Sequence, residues 1–144
     1  MRELKGHGVA LITPFKGNGA IDFEAIPRII EHLINGGVDY LVVLGTTAES
    51  TSLSKDEKKQ LIATIVNHNA GILPLVIGIG GNNTPKVIEE IISMDLSPFS
   101  AILSVTPYYN KPNQKGLIKH YEKIFYGIYI SVIFNIRFFT KEKK

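Results

Sequence analysis

Cysteine and tryptophan are absent from this sequence, and only two methionines occur in its 144 residues. Without cysteine there is no disulfide, no thiolate metal site and no cysteine nucleophile, and a reducing cytoplasm is compatible. Histidine is scarce: His7, His32, His68 and His120 stand without ligand spacing, so no metal site and no cofactor is expected. Charge of one sign is also missing. The formal net charge is +3, and Thr140 to Lys144 (TKEKK) hold three lysines against one glutamate, +2 of that total. The nearly neutral remainder has no basic stripe for nucleic acid. Nor is there a long apolar run, since the stretch from Ile124 to Phe139, interrupted by Asn135 and Arg137, falls short of the roughly 20 residues of a membrane span. The N-terminus, MRELKGHGVALITPF, has one short apolar patch broken by Pro14 and no small-residue cleavage site, which makes a poor signal peptide. A cytoplasmic protein of one domain is the expectation, and a hydrophobic content of 44% suffices for a core.

Short apolar runs alternate with segments of helical period. Strands are predicted at Gly8 to Ile12, Tyr40 to Leu44, Leu73 to Gly80, Ala101 to Val105 and Tyr129 to Phe134. They are continuous rather than alternating, as suits parallel strands buried on both faces. The first helix has Asp22 as its expected cap and Gly36-Gly37 as its end, with Pro27 about one turn inside, where it removes a backbone donor. Ser54 to Glu57 (SKDE) reads as a capping box for the second helix. Thr84 reads as the cap of a third, with Pro85 at its first helical position, and a fourth follows Gly116.

This βα repetition leaves an open doubly wound sheet or a (β/α)8 barrel. After the first strand comes TPFKGNG, which lacks the dinucleotide fingerprint, and no GxxxxGK[ST] phosphate loop exists. In a barrel the active site gathers where strands end. There stand Thr13-Pro14, Gly45-Thr46-Thr47, Gly80-Gly81-Asn82-Asn83 and Thr106-Pro107-Tyr108-Tyr109-Asn110. Two adjacent threonines offer hydroxyls and free amides to a small carboxylate, or simply turn the chain. Tyr108-Tyr109 either relays a proton or packs at a loop or subunit contact. Glu49 is a general base or an acceptor for backbone amides. No lysine sits in an apolar strand, where a Schiff-base lysine would be.

GVALITPF, DYLVVLGTTAESTSLSKDEKK, GIGGNNT and AILSVTPYYNKPNQKG together resemble the dihydrodipicolinate synthase family, in order from about Lys5 to Glu122. GTTxES and TPYYNKP belong to the wider group of pyruvate-dependent aldolases that includes N-acetylneuraminate lyase, and the tandem tyrosine before Asn-Lys-Pro favours the synthase. The resemblance implies a (β/α)8 TIM barrel, a homotetramer, and condensation of pyruvate with aspartate semialdehyde in lysine biosynthesis through a lysine Schiff base. It further implies that Thr46 is the relay threonine and that Thr47 holds the pyruvate carboxylate. Tyr109 becomes the relay tyrosine that reaches a neighbouring subunit's site.

Departures from the family accompany the match. A complete barrel takes about 250 residues, so the sequence reads as about four and a half βα units, with residues 1–123 as the N-terminal half of the barrel and without the Schiff-base lysine expected on a sixth strand. Residues 124–144 then form a divergent apolar and basic tail. Six of the seven phenylalanines and six tyrosines taken together lie between Ile124 and Phe139, the pattern a frameshift followed by an early stop produces. Phe134-Asn135 is the nearest match to the family's Tyr-Asn segment, and Phe134, lacking a hydroxyl, receives no catalytic role. Lys86 stands where lysine-inhibited members present a glutamate, which argues against lysine feedback, although Asn82 and Tyr108 match. Two functional readings follow: part of a synthase, inactive alone, or a non-catalytic half-barrel that pairs with itself or with a longer relative.

Overall fold

The structure, a computed structural model, describes residues 4–126 and 130–135. Among these, β1 (Gly8–Ala10), β2 (Tyr40–Val43), β3 (Leu75–Gly78), β4 (Ala101–Val105) and β5 (Ser131–Asn135) alternate with four helices. The helices are α1 (Ala25–Asn35), α2 (Lys55–Asn69), α3 (Thr84–Ser93) and α4 (Gln114–Phe125). Tyr129, expected in the fifth strand, lies outside the described residues.

All neighbouring strands pair in parallel, and they lie side by side in chain order from β1 to β5. A doubly wound sheet reverses its direction of progress at a switch point. Here every crossover moves one strand on in the same sense, as in the wall of a barrel.

Strand side chains sort by parity. Leu41, Val43, Leu75, Ile77 and Ile102 face the helices and share one core with Ile30, Leu61, Ile91 and Ile124. On the opposite face Val42, Val76 and Ala101 form a second cluster with Tyr40 and Leu103 packed against it. Residues of both parities are therefore withdrawn from water, which is why the strands read as unbroken apolar runs.

Side-chain caps set the starts of α2, α3 and α4 but not of α1, and the starts differ from the sequence expectation in three of four cases. In α2 the capping box forms as read: the Ser54 N–H donates to the Glu57 carboxylate at 2.8 Å, and the Glu57 N–H donates to Ser54 Oγ at 3.3 Å. The Ser54 hydroxyl, which donates to the Glu57 carboxylate at 2.7 Å, and then the Ser54 N–H hold the Glu57 carboxyl below its ordinary range. α1 starts after Glu24 rather than at Asp22, so Pro27 is its third residue. The first turn's amides have no partner within the helix, and the expected loss of a hydrogen bond at Pro27 does not arise. In α3 the cap is Asn83, whose Oδ1 accepts from the Lys86 N–H at 3.2 Å, and Pro85 is second in the helix. α4 is capped by Asn113 accepting from the Gly116 N–H at 2.9 Å, which puts Gly116 inside the first turn. The compositional boundary after residue 123 falls within α4, and β5 pairs along the whole length of β4.

Candidate functional site

β2 runs into Leu44-Gly45 and then directly into two single 3-10 turns, Thr46–Ala48 and Ser50–Ser52. Leu44 (φ 54°) and Glu49 (φ 51°), which bracket the first turn, both occupy the left-handed region. For residues with a Cβ this costs of order 1 kcal/mol or more each, so the surroundings must hold them there. Two contacts do so. Gly78 on β3 lies so close that a Cβ on it would sit 2.5 Å from the Leu44 carbonyl oxygen. From β1's loop, the buried Thr13 hydroxyl donates to the Ala48 carbonyl at 2.7 Å.

The turn lies beside a cleft of about 570 Å³ at the C-terminal end of the sheet. Gly45, Thr46, Ser50, Thr51, Gly80, Val105 and Tyr108 line it, and Lys58 and Glu90 stand at its helix side. Lys58 Nζ is 3.8 Å from the Glu90 carboxylate, so the cation on this wall is already engaged. No described lysine belongs to a strand. A smaller hollow, about 290 Å³ and lined by Asn69, Leu73 and Pro98, carries no comparable chemistry, since the Asn69 side chain is bonded twice to the Leu73 backbone.

Thr46 reaches the cleft, and Thr47 follows it, exposed, outside the lining. Neither backbone N–H donates to another group among the described residues. Tyr108 lines the cleft while Tyr109 stands outside it, 91% exposed and in the left-handed region at φ 69°. Glu49 is exposed, and its carboxylate accepts no amide among the described residues. Lys86 is exposed on the first turn of α3. Sequence reasoning passed over Ser50, Thr51, Lys58 and Glu90 as wall residues. The first two were visible in the hydroxyl cluster after β2, whereas the ion pair spans two helices and has no local signature.

Below the β3 loop, Thr84 Oγ1 is 2.7 Å from His120 Nδ1, which ties the start of α3 to α4. His120 is 4% exposed, and its buried Nε2 has no hydrogen-bond partner among the described residues. Burial lowers its pKa from the ordinary 6.5. Below about pH 6.5 the unfolded chain therefore takes up a proton that the folded chain resists. Stability from this group is level above that pH and falls on acidification until the folded value is passed. Urea unfolding is expected to show a downward slope of at most about 1.4 kcal/mol per pH unit in this window, reduced in His120→Gln. An equal slope in that variant would assign the effect elsewhere.

No described helix is long and apolar enough to cross a membrane. Among the described residues no group of three or more His, Asp or Glu is placed to hold a metal ion.

Residues 3–142 match the model of the dihydrodipicolinate synthetase family. The 4-hydroxy-tetrahydrodipicolinate synthase of Flavobacterium psychrophilum is 59% identical over 124 residues, which are 86% of this chain and 42% of that relative. The structure superimposes on a dihydrodipicolinate synthase from Thermotoga maritima with a TM-score of 0.84 at 36% identity, over 90% of this chain and 43% of that one. N-acetylneuraminate lyase from Mycoplasma synoviae gives 0.79 at 27% identity, covering 90% and 45%. The chain thus spans less than half the length of the relatives it matches. With the winding of the sheet, the threonine turn at the end of β2 and these likenesses in agreement, the chain belongs to the dihydrodipicolinate synthetase family and has part of the TIM-barrel wall of its solved relatives.

Proposed function

We propose that this chain is the pyruvate-binding portion of a lyase that condenses pyruvate with aspartate semialdehyde to 4-hydroxy-tetrahydrodipicolinate, in the biosynthesis of lysine and diaminopimelate. One observation carries the reading: the Thr46–Ala48 turn offers two unengaged amides and two hydroxyls beside a cleft that Tyr108 also lines. Thr47 holds the substrate carboxylate, and Thr46 passes a proton with Tyr109. The exposure of Tyr109 supports its reaching a neighbouring subunit's site in a cytoplasmic homo-oligomer, a tetramer in the family. Pyruvate becomes the nucleophile through a Schiff base to a lysine that the described residues do not supply, its derived enamine attacking the aldehyde. The chain alone therefore binds pyruvate without turning it over.

Joining residues 1–123 to the remaining C-terminal part of the Flavobacterium psychrophilum synthase tests this reading. The soluble chimera is expected to consume pyruvate and aspartate semialdehyde, and the 144-residue chain is expected to show neither turnover nor a borohydride-trapped pyruvate adduct. Turnover by the chain alone, or a folded chimera that is inert, overturns it. Cleavage of N-acetylneuraminate by the chimera would move the assignment to the lyase of the same group. The alternative of a non-catalytic half-barrel gains no support from the sheet face opposite the helices, where Val42, Val76 and Ala101 are already buried within the chain. It requires a monodisperse dimer of the chain that does not respond to pyruvate.

A further inference from the structure

Thr13 and Ala48 are 35 residues apart, yet the Thr13 hydroxyl donates to the Ala48 carbonyl at 2.7 Å in a site where the two residues are 5% and 1% exposed. Among the described residues no other group donates to that carbonyl. A buried carbonyl left without a donor is costly, so the hydroxyl decides whether the turn can close in this form. The same turn has a left-handed residue on either side, Leu44 and Glu49, and relaxes if nothing holds it. Gly78 confines its Leu44 end, and Thr13 grips its Ala48 end. Between these two points lie the N–H groups of Thr46 and Thr47.

We propose that Thr13 is a positioning residue, whose hydroxyl bond to Ala48 sets the direction in which the Thr46 and Thr47 amides point and thereby the grip on a small carboxylate. The inference rests on the carboxylate reading of this turn. Thr13 touches no substrate: it acts through the Ala48 carbonyl. Serine keeps the hydroxyl and loses a methyl, whereas valine keeps the shape and loses the donor, so the pair separates hydrogen bonding from packing.

The test uses the 144-residue chain with pyruvate as the probe, observing backbone amides by NMR titration and hydrogen exchange. In the wild type and in Thr13→Ser the Thr46 and Thr47 amides are expected to shift on titration. In Thr13→Val the apparent Kd is expected to rise about tenfold, in line with loss of one buried hydrogen bond. Exchange at Ala48 and Glu49 is expected to quicken about tenfold, with Val76 and Ile77 on β3 still protected. Wild-type affinity in Thr13→Val, or an equal loss in Thr13→Ser, overturns the proposal. Loss of protection along β3 in Thr13→Val also overturns it, since Thr13 would then support the core at large. If the wild type itself ignores pyruvate, the carboxylate reading fails first and the positioning role falls with it, an outcome distinct from the other three.

Discussion

Replacing Thr46 with valine in the chimera described above is expected to lower kcat by about 10²- to 10⁴-fold, the range over which a positioned proton donor contributes, with a much smaller change in KM for pyruvate. Valine matches threonine in shape, so the cleft wall to which Thr46 belongs is preserved while the hydroxyl is removed. A group needed only as the proton moves is missed in the transition state and hardly at all in the ground state. Thr46→Ser restores the hydroxyl and most of the rate. Thr47→Val should behave in the opposite way, raising KM more than it lowers kcat, because a grip on the carboxylate acts in both states. Steady-state kinetics of the three variants decides the matter. An unchanged kcat in Thr46→Val removes the relay role, and matching profiles for the two valine variants remove the division of labour.

The second large effect concerns a glycine. Gly78→Ala is expected to destabilise the chain by about 3 kcal/mol, at the upper end of what forced overpacking costs. The added Cβ would lie 2.5 Å from the Leu44 carbonyl oxygen, 2.8 Å from its carbon and 2.9 Å from Gly45 Cα. These are backbone atoms, and they cannot rotate away as a side-chain tip does. Relief requires that the end of β2 part from β3, which also displaces the threonine turn. Gly17→Ala serves as the control, since nothing lies within 4 Å of a Cβ there, and it should stay within about 0.5 kcal/mol of the parent. Urea midpoints of the two variants measure the difference. Equal midpoints would show that the sheet end yields without cost and that Gly78 does not confine the turn.

Much of the site was legible because its parts are contiguous. The hydroxyl cluster from Thr46 to Thr51 directly follows an apolar strand, and Tyr108-Tyr109 follows another, so the barrel rule that strand ends carry chemistry placed both at one end of the sheet. Legibility stopped where a contact joins distant segments. Thr13 read as a strand-end residue, and nothing near it announces Ala48 as its partner. Lys58 and Glu90 carry no local signature, and only the packing of α2 beside α3 brings them to one wall. Helix starts were misplaced for a related reason. Asp22, Thr84 and Gly116 are all plausible near a first turn, but the side chain whose oxygen meets the N–H three residues on is Asn83 in α3 and Asn113 in α4.

Element type, element order and the parallel character of the sheet were determined by the sequence itself. Hydrophobic period, capping residues and breakers act within a few residues of one another, and unbroken apolar strands demand cover on both faces. The choice of a barrel wall over a doubly wound sheet, the harmless place of Pro27 and the strained turn between Leu44 and Glu49 belong to the tertiary structure. Each depends on which strand settles beside which, and on close approaches such as Gly78 to Leu44 that exist only once the strands have paired.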